Sequence, residues 1–91
     1  MMNKERRKIL SELADELGKL QGRLDDIKSE IEAVNDEEND YYQNMPEGLK
    51  NGDRGTLSED AMQRLEDAIG NMENIASDLD EAITGLNDAS Q

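Results

Sequence analysis

The sequence predicts an all-α fold: an antiparallel two-helix coiled-coil hairpin that dimerises into a four-helix bundle. Three observations carry the prediction. Each half of the 91-residue chain repeats apolar residues in alternating steps of three and four. A segment holding the only proline and three of the seven glycines separates the two repeats. Two helices alone would leave too much of each apolar stripe uncovered, so a second copy is expected against the first, with higher oligomers as alternatives.

The first stripe is Leu10, Leu13, Leu17, Leu20, Leu24, Ile27, Ile31 and Val34. A repeat averaging 3.5 residues keeps one narrow face toward a partner helix, the signature of a left-handed coiled coil. Continuing the phase puts Glu38 and Tyr41 on the seam, which weakens there. Helix 1 is expected over about residues 3–42, roughly 60 Å at 1.5 Å per residue. The second stripe is Met62, Leu65, Ile69, Met72, Ala76, Leu79, Ile83 and Leu86, with Met62 and Met72 as seam fillers. Beside it Ala61, Ala68, Ile75, Ala82 and Ala89 recur every seven residues, a small-residue flank suited to a third helix. Helix 2 is expected over about residues 57–89. Thr56-Leu57-Ser58-Glu59 reads as its capping box, with Thr56 as the cap and Glu59 reaching back. Gly18, Gly22, Gly70 and Gly85 fall inside the helices off the seam, each weakening its helix by about 1 kcal/mol relative to alanine.

The connection, about residues 43–56, is longer than a helical hairpin requires, and such loops are usually functional or disordered. Pro46 stops helix 1, and the Gly/Asn pairs are expected to make turns with positive φ. Met45 and Leu49 are expected to fold back over the hairpin end. One domain, 1–91, accommodates the whole chain.

Composition excludes much chemistry. The chain has no cysteine, histidine, tryptophan or phenylalanine, and Tyr41 and Tyr42 are its aromatics. Disulfide frameworks, Cys/His zinc sites, thiol catalysis and histidine-dependent triads therefore fall away. No apolar run approaches the roughly 20 residues of a membrane span, and no secretory h-region follows Met1, so a cytoplasmic location is expected. Leu, Ile, Val and Phe make up 17 of 91 residues, below the roughly 20% that accompanies disorder in highly charged chains, but here they are strictly periodic.

Charge is unevenly distributed. The total is −13; residues 1–28 hold seven basic and six acidic side chains, and residues 29–91 hold three and seventeen. Direct binding of nucleic acid or anionic membrane is not expected of such a surface. No enzyme activity is expected either. Glu12, Asp15 and Glu16 with Glu37 and Glu38 lack the reciprocal spacing on two helices that a phosphate-bound Mg²⁺ needs. A di-metal bundle site would want Glu-x-x-His. Asp36-Glu37-Glu38-Asn39-Asp40 begins like a calcium loop, but Tyr41 stands where glycine is required. No cofactor and no metal are expected.

Two binding surfaces remain. Glu30, Glu32, Asp36, Glu37, Glu38 and Asp40 form an acidic run suited to a basic protein partner, as a nucleic-acid mimic or as an ordinary solvated surface. At the loop end, Tyr41, Tyr42, Asn44, Lys50, Asn51 and Arg54 combine aromatic faces with basic groups, a combination that suits a base and its phosphates. The alternative there is structural: Tyr41 completes the seam and Arg54 ties the loop through carbonyls or Glu47.

The stretch Asn44-Met45-Pro46-Glu47-Gly48-Leu49, followed by Asp53-Arg54-Gly55 and preceded by a Lys/Arg-rich start and Glu37-Glu38, resembles a family of short acidic phage and prophage proteins of unsettled function. Gly48 and Asp53 depart from the commoner Asn and Glu of that loop. The resemblance implies a small accessory product of a mobile element, a class that often antagonises host defence by blocking a protein or sequestering a signal. Three functions follow as expectations: a non-enzymatic oligomer that binds a host protein through its acidic face, a sponge for a cyclic or ADP-ribose-type nucleotide at the loop end, and a purely structural coiled-coil part.

Overall fold

The computed structural model describes Met2–Gln91 as two long helices joined through a short one: α1 (Lys4–Gln43), α2 (Glu47–Lys50) and α3 (Asp53–Ala89). The fold is the helical hairpin that the two stripes predict, with no strand among the described residues. The chain divides into two compact units. One pairs the chain up to Asp26 with Glu73–Gln91, and the other is the continuous segment Ile27–Met72. In each, α1 and α3 run antiparallel. Gln21 Nε2 donates to the Ala76 carbonyl at 3.4 Å in the first, and Ser58 Oγ donates to Glu38 Oε1 at 2.8 Å in the second.

The start of α1 is fixed by Asn3, whose Oδ1 accepts the Arg6 amide at 2.8 Å, the bond expected of an N-cap asparagine. Along α3 the inward positions are those the sequence marks: Met62, Leu65, Ile69, Met72, Ala76, Leu79, Ile83 and Leu86 are all half-buried. Along α1 only half of the expected seam holds. Leu10, Leu17, Leu24 and Ile31 turn inward as expected. The companion row is Arg7, Ala14, Gln21, Lys28, Asn35 and Tyr42, one residue beyond the expected Leu13, Leu20, Ile27, Val34 and Tyr41. Leu13, Leu20, Val34 and Tyr41 are exposed, and Ile27 is half-buried. The α1 stripe is wide enough to offer two neighbouring seams, and packing against a single helix uses the one nearer Ala14, which is buried. That choice puts polar groups inside: the Asn35 Oδ1 and Arg7 Nε atoms are buried without hydrogen-bond partners.

The connection is more ordered than its composition suggests. Pro46 (φ −57°, ψ 145°) precedes α2, and the Leu49 and Lys50 amides donate to its carbonyl at 2.9 and 2.8 Å. Met45 is buried, but Leu49, expected to fold back with it, is exposed. No glycine among the described residues has positive φ, contrary to the turn geometry expected from sequence. Gly55 serves packing instead. A Cβ at this buried position would sit 1.7 Å from the Lys50 carbonyl oxygen, so only glycine lets the end of α2 lie on the first turn of α3. That contact lets α3 begin at Asp53, ahead of the expected cap. Thr56 is therefore no N-cap: it lies inside α3, with its Oγ1 donating to the Gly52 carbonyl at 3.2 Å.

Replacing Gly55 with alanine forces the backbone of Lys50 away and is expected to destabilise the fold by about 1–3 kcal/mol. A Cβ at Gly22 or Gly70 meets nothing within 4 Å. Gly22→Ala and Gly70→Ala should each stabilise by about 0.8–1 kcal/mol. Thermal unfolding followed by circular dichroism checks both directions.

Candidate functional site

A helix advances about 100° per residue. The residue just before an inward position therefore lies on one side of the helix pair, and the residue just after it lies on the other. A two-fold axis normal to the plane of two antiparallel helices exchanges them without exchanging these sides, so the preceding residues of both helices share one side.

The two sides differ sharply. Every exposed large apolar residue of α1 and α3 among the described residues precedes an inward position: Ile9, Leu13, Leu20, Val34 and Tyr41 on α1, Leu57 and Ile75 on α3. The alanine flank, Ala61, Ala68, Ala82 and Ala89, shares their side. The opposite side of the Ile27–Met72 unit carries Glu32 and Asp36 from α1 and Glu59 and Glu66 from α3, all exposed, with no lysine or arginine at the flanking positions of these two helices.

This arrangement redistributes the acidic run of the sequence. Glu32 and Asp36 lie on the acidic side, whereas Glu30 and Glu37 border the apolar side and Asp40 faces directly outward. Glu38 is half-buried in the seam and accepts the hydrogen bond from Ser58, itself buried. Glu59 and Glu66, which complete the acidic side, lie about 20 residues or more further along the chain. They were detectable as acids one residue beyond the α3 seam positions Ser58 and Leu65.

At the loop end the two tyrosines diverge. Tyr42, not Tyr41, ends the seam: its hydroxyl donates to a Glu59 carboxylate oxygen, and Lys50 Nζ lies over its ring, 5.0 Å from the centroid. Tyr41 is exposed on the apolar side. The cluster thus joins the end of α1, α2 and the start of α3. A base stacking on that face of Tyr42 would have to displace Lys50. Asn51 ends α2, its amide donating to the Glu47 carbonyl, while Asn44 and Arg54 are exposed. The expected tie from Arg54 to Glu47 is not formed. Nor do three carboxylates converge closely enough to hold a metal ion among the described residues, and Asp36–Asp40 is helical within α1.

The hydrogen bond to Glu59, then partial desolvation and last the carboxylate's charge hold the Tyr42 phenol above its ordinary value of 10.0. Ionised Tyr42 would lose the bond and face a like charge. The latch therefore contributes below pH 10.0 and is lost as pH rises through the raised pKa. In a Tyr41→Phe background, the phenolate absorbance of Tyr42 should develop above pH 10.0, and Glu59→Gln should return it toward that value.

No helix among the described residues is long and apolar enough to cross a membrane. Comparison with protein-family models, with curated proteins and with solved structures finds no match for this chain.

Proposed function

We propose that this chain is a non-enzymatic binding protein that engages a basic protein surface through the acidic side of its helical hairpin. One observation carries the reading: within Ile27–Met72, Glu32, Asp36, Glu59 and Glu66 share a side on which the flanking positions of α1 and α3 hold no basic residue. An isolated acidic run on one helix would be ordinary solvation. Here two segments distant in sequence deliver carboxylates to one surface, and the same surface has no exposed large apolar residue to compete for it. Such a surface speeds encounter with a positively charged partner and rejects polyanions. The setting is the one that the loop resemblance implies, a mobile-element product acting on a host protein. Occupation of a nucleic-acid channel is the form of antagonism that a carboxylate array suits.

The binding is electrostatic and must therefore respond to screening, whose range falls from roughly 10 Å at 0.1 M salt to about 3 Å at 1 M. Affinity capture from a bacterial lysate should retain a basic protein at low salt and release it at high salt. The combined variant Glu32→Gln, Asp36→Asn, Glu66→Gln should lose it at low salt as well. Capture that persists through both changes would remove the proposal. Glu59 is left intact in this test because it also holds Tyr42.

A further inference from the structure

We infer that the apolar side of the hairpin is the seat of a second copy of this chain, leaving the acidic sides of both copies outward. The starting point is an inversion along α1. Against α3 it presents Arg7, Gln21, Lys28 and Asn35, while Leu20, Val34 and Tyr41 stay 57%, 52% and 53% exposed. Helices ordinarily turn their most apolar row inward. A helix that keeps its leucines on the flank has a second helix to meet there, since the row Leu10, Leu17, Leu24 and Ile31 lies between both flanks and can serve both contacts.

Burial points the same way. No large side chain is fully buried among the described residues, so the interior that a domain of this kind needs is incomplete in one copy.

Charge selects the occupant. The chain carries −13, and its acidic sides would repel each other. On the apolar side of Ile27–Met72, however, Glu30 and Glu37 border α1 while Arg54 and Arg64 border α3, a balanced set. The other unit repeats the balance on that side, with Arg6 and Arg23 against Glu16 and Asp78. Within Ile27–Met72, where the acids line α1 and the bases line α3, that side is complementary to itself under a two-fold axis. A strongly basic or acidic partner finds no such match there. Arg64 already pairs with Asp60 at 2.8 Å, an exposed contact that can be exchanged or shared.

The inference does not depend on the acidic-side binding proposed above, because it concerns the opposite side and is read without any third component. Sedimentation equilibrium of the intact chain should give twice the 10.2 kDa chain mass, and Val34→Glu should shift the equilibrium toward the single chain. Should that variant unfold, a milder probe remains, because the chain has no cysteine of its own. The thiol of Val34→Cys should react with a maleimide about tenfold more slowly at high than at low protein concentration, following the dimer population. Glu66→Cys, on the acidic side, should react at one rate throughout. A folded single chain at high concentration, or Val34→Cys reactivity that ignores concentration, would overturn the inference and leave that side to some other occupant.

Discussion

Two helices lying against each other can shield only one strip of each, and this constraint governs the molecule. The strip available on α3 is apolar from Met62 to Leu86, but α1 answers it with alternating leucine or isoleucine and a row containing Arg7, Gln21, Lys28 and Asn35. Hydrophobic stabilisation scales with the apolar area removed from water. Here that area is small, and among the described residues the buried apolar ones are Ala14 and Met45. What the hairpin lacks in core it partly recovers at specific joints: the Ser58–Glu38 bond in the seam, the Tyr42–Glu59 bond with Lys50 over the ring, and the contact of Lys50 with Gly55. Helices of this length without deep burial depend on such joints and on further packing.

Separation of chemistry between the two sides follows from the same geometry. Because each helix advances by a fixed angle, a one-residue step from an inward position decides which side a group occupies. Within Ile27–Met72 the exposed large apolar residues of α1 and α3 precede inward positions, and Glu32, Asp36, Glu59 and Glu66 follow them. The Ile27–Met72 unit is thus divided into a side free of net charge, available for self-contact, and a side free of large apolar groups, available for a basic partner. Neither property requires a pocket or a reactive group. Both are sums over a heptad pattern, which explains why the site is a surface and not a cleft.

Much of this was legible in the sequence, though unequally. The α3 seam was readable residue by residue because its apolar row is single and its flank is alanine, so only one inward phase exists. For α1 the pattern marks apolar residues without saying which helix covers them, and Leu13, Leu20 and Val34 could satisfy either a partner within the chain or one outside it. Thr56-Leu57-Ser58-Glu59 matched a capping box, but the decisive residue was Gly55, whose missing Cβ admits Lys50 and moves the start of α3 to Asp53. No local pattern reveals a close approach between backbones. The divergence of Tyr41 and Tyr42 has the same origin as the shifted α1 seam: one residue of phase carries one ring inward and the other out. The acidic side was half visible, as Glu32 and Asp36, and needed the antiparallel register to gain Glu59 and Glu66.

α1 packs on α3 through the row containing Ala14 and Gln21, not the row containing Leu20. With no native cysteine to interfere, pairs of introduced thiols report this directly. Under mild oxidation, Gln21→Cys with Ala76→Cys and Glu38→Cys with Ser58→Cys should each close a disulfide within one chain, while Leu20→Cys with Ala76→Cys should not. Rapid closure of the Leu20→Cys pair, with the Gln21→Cys pair left reduced, would contradict the packing and everything built on it.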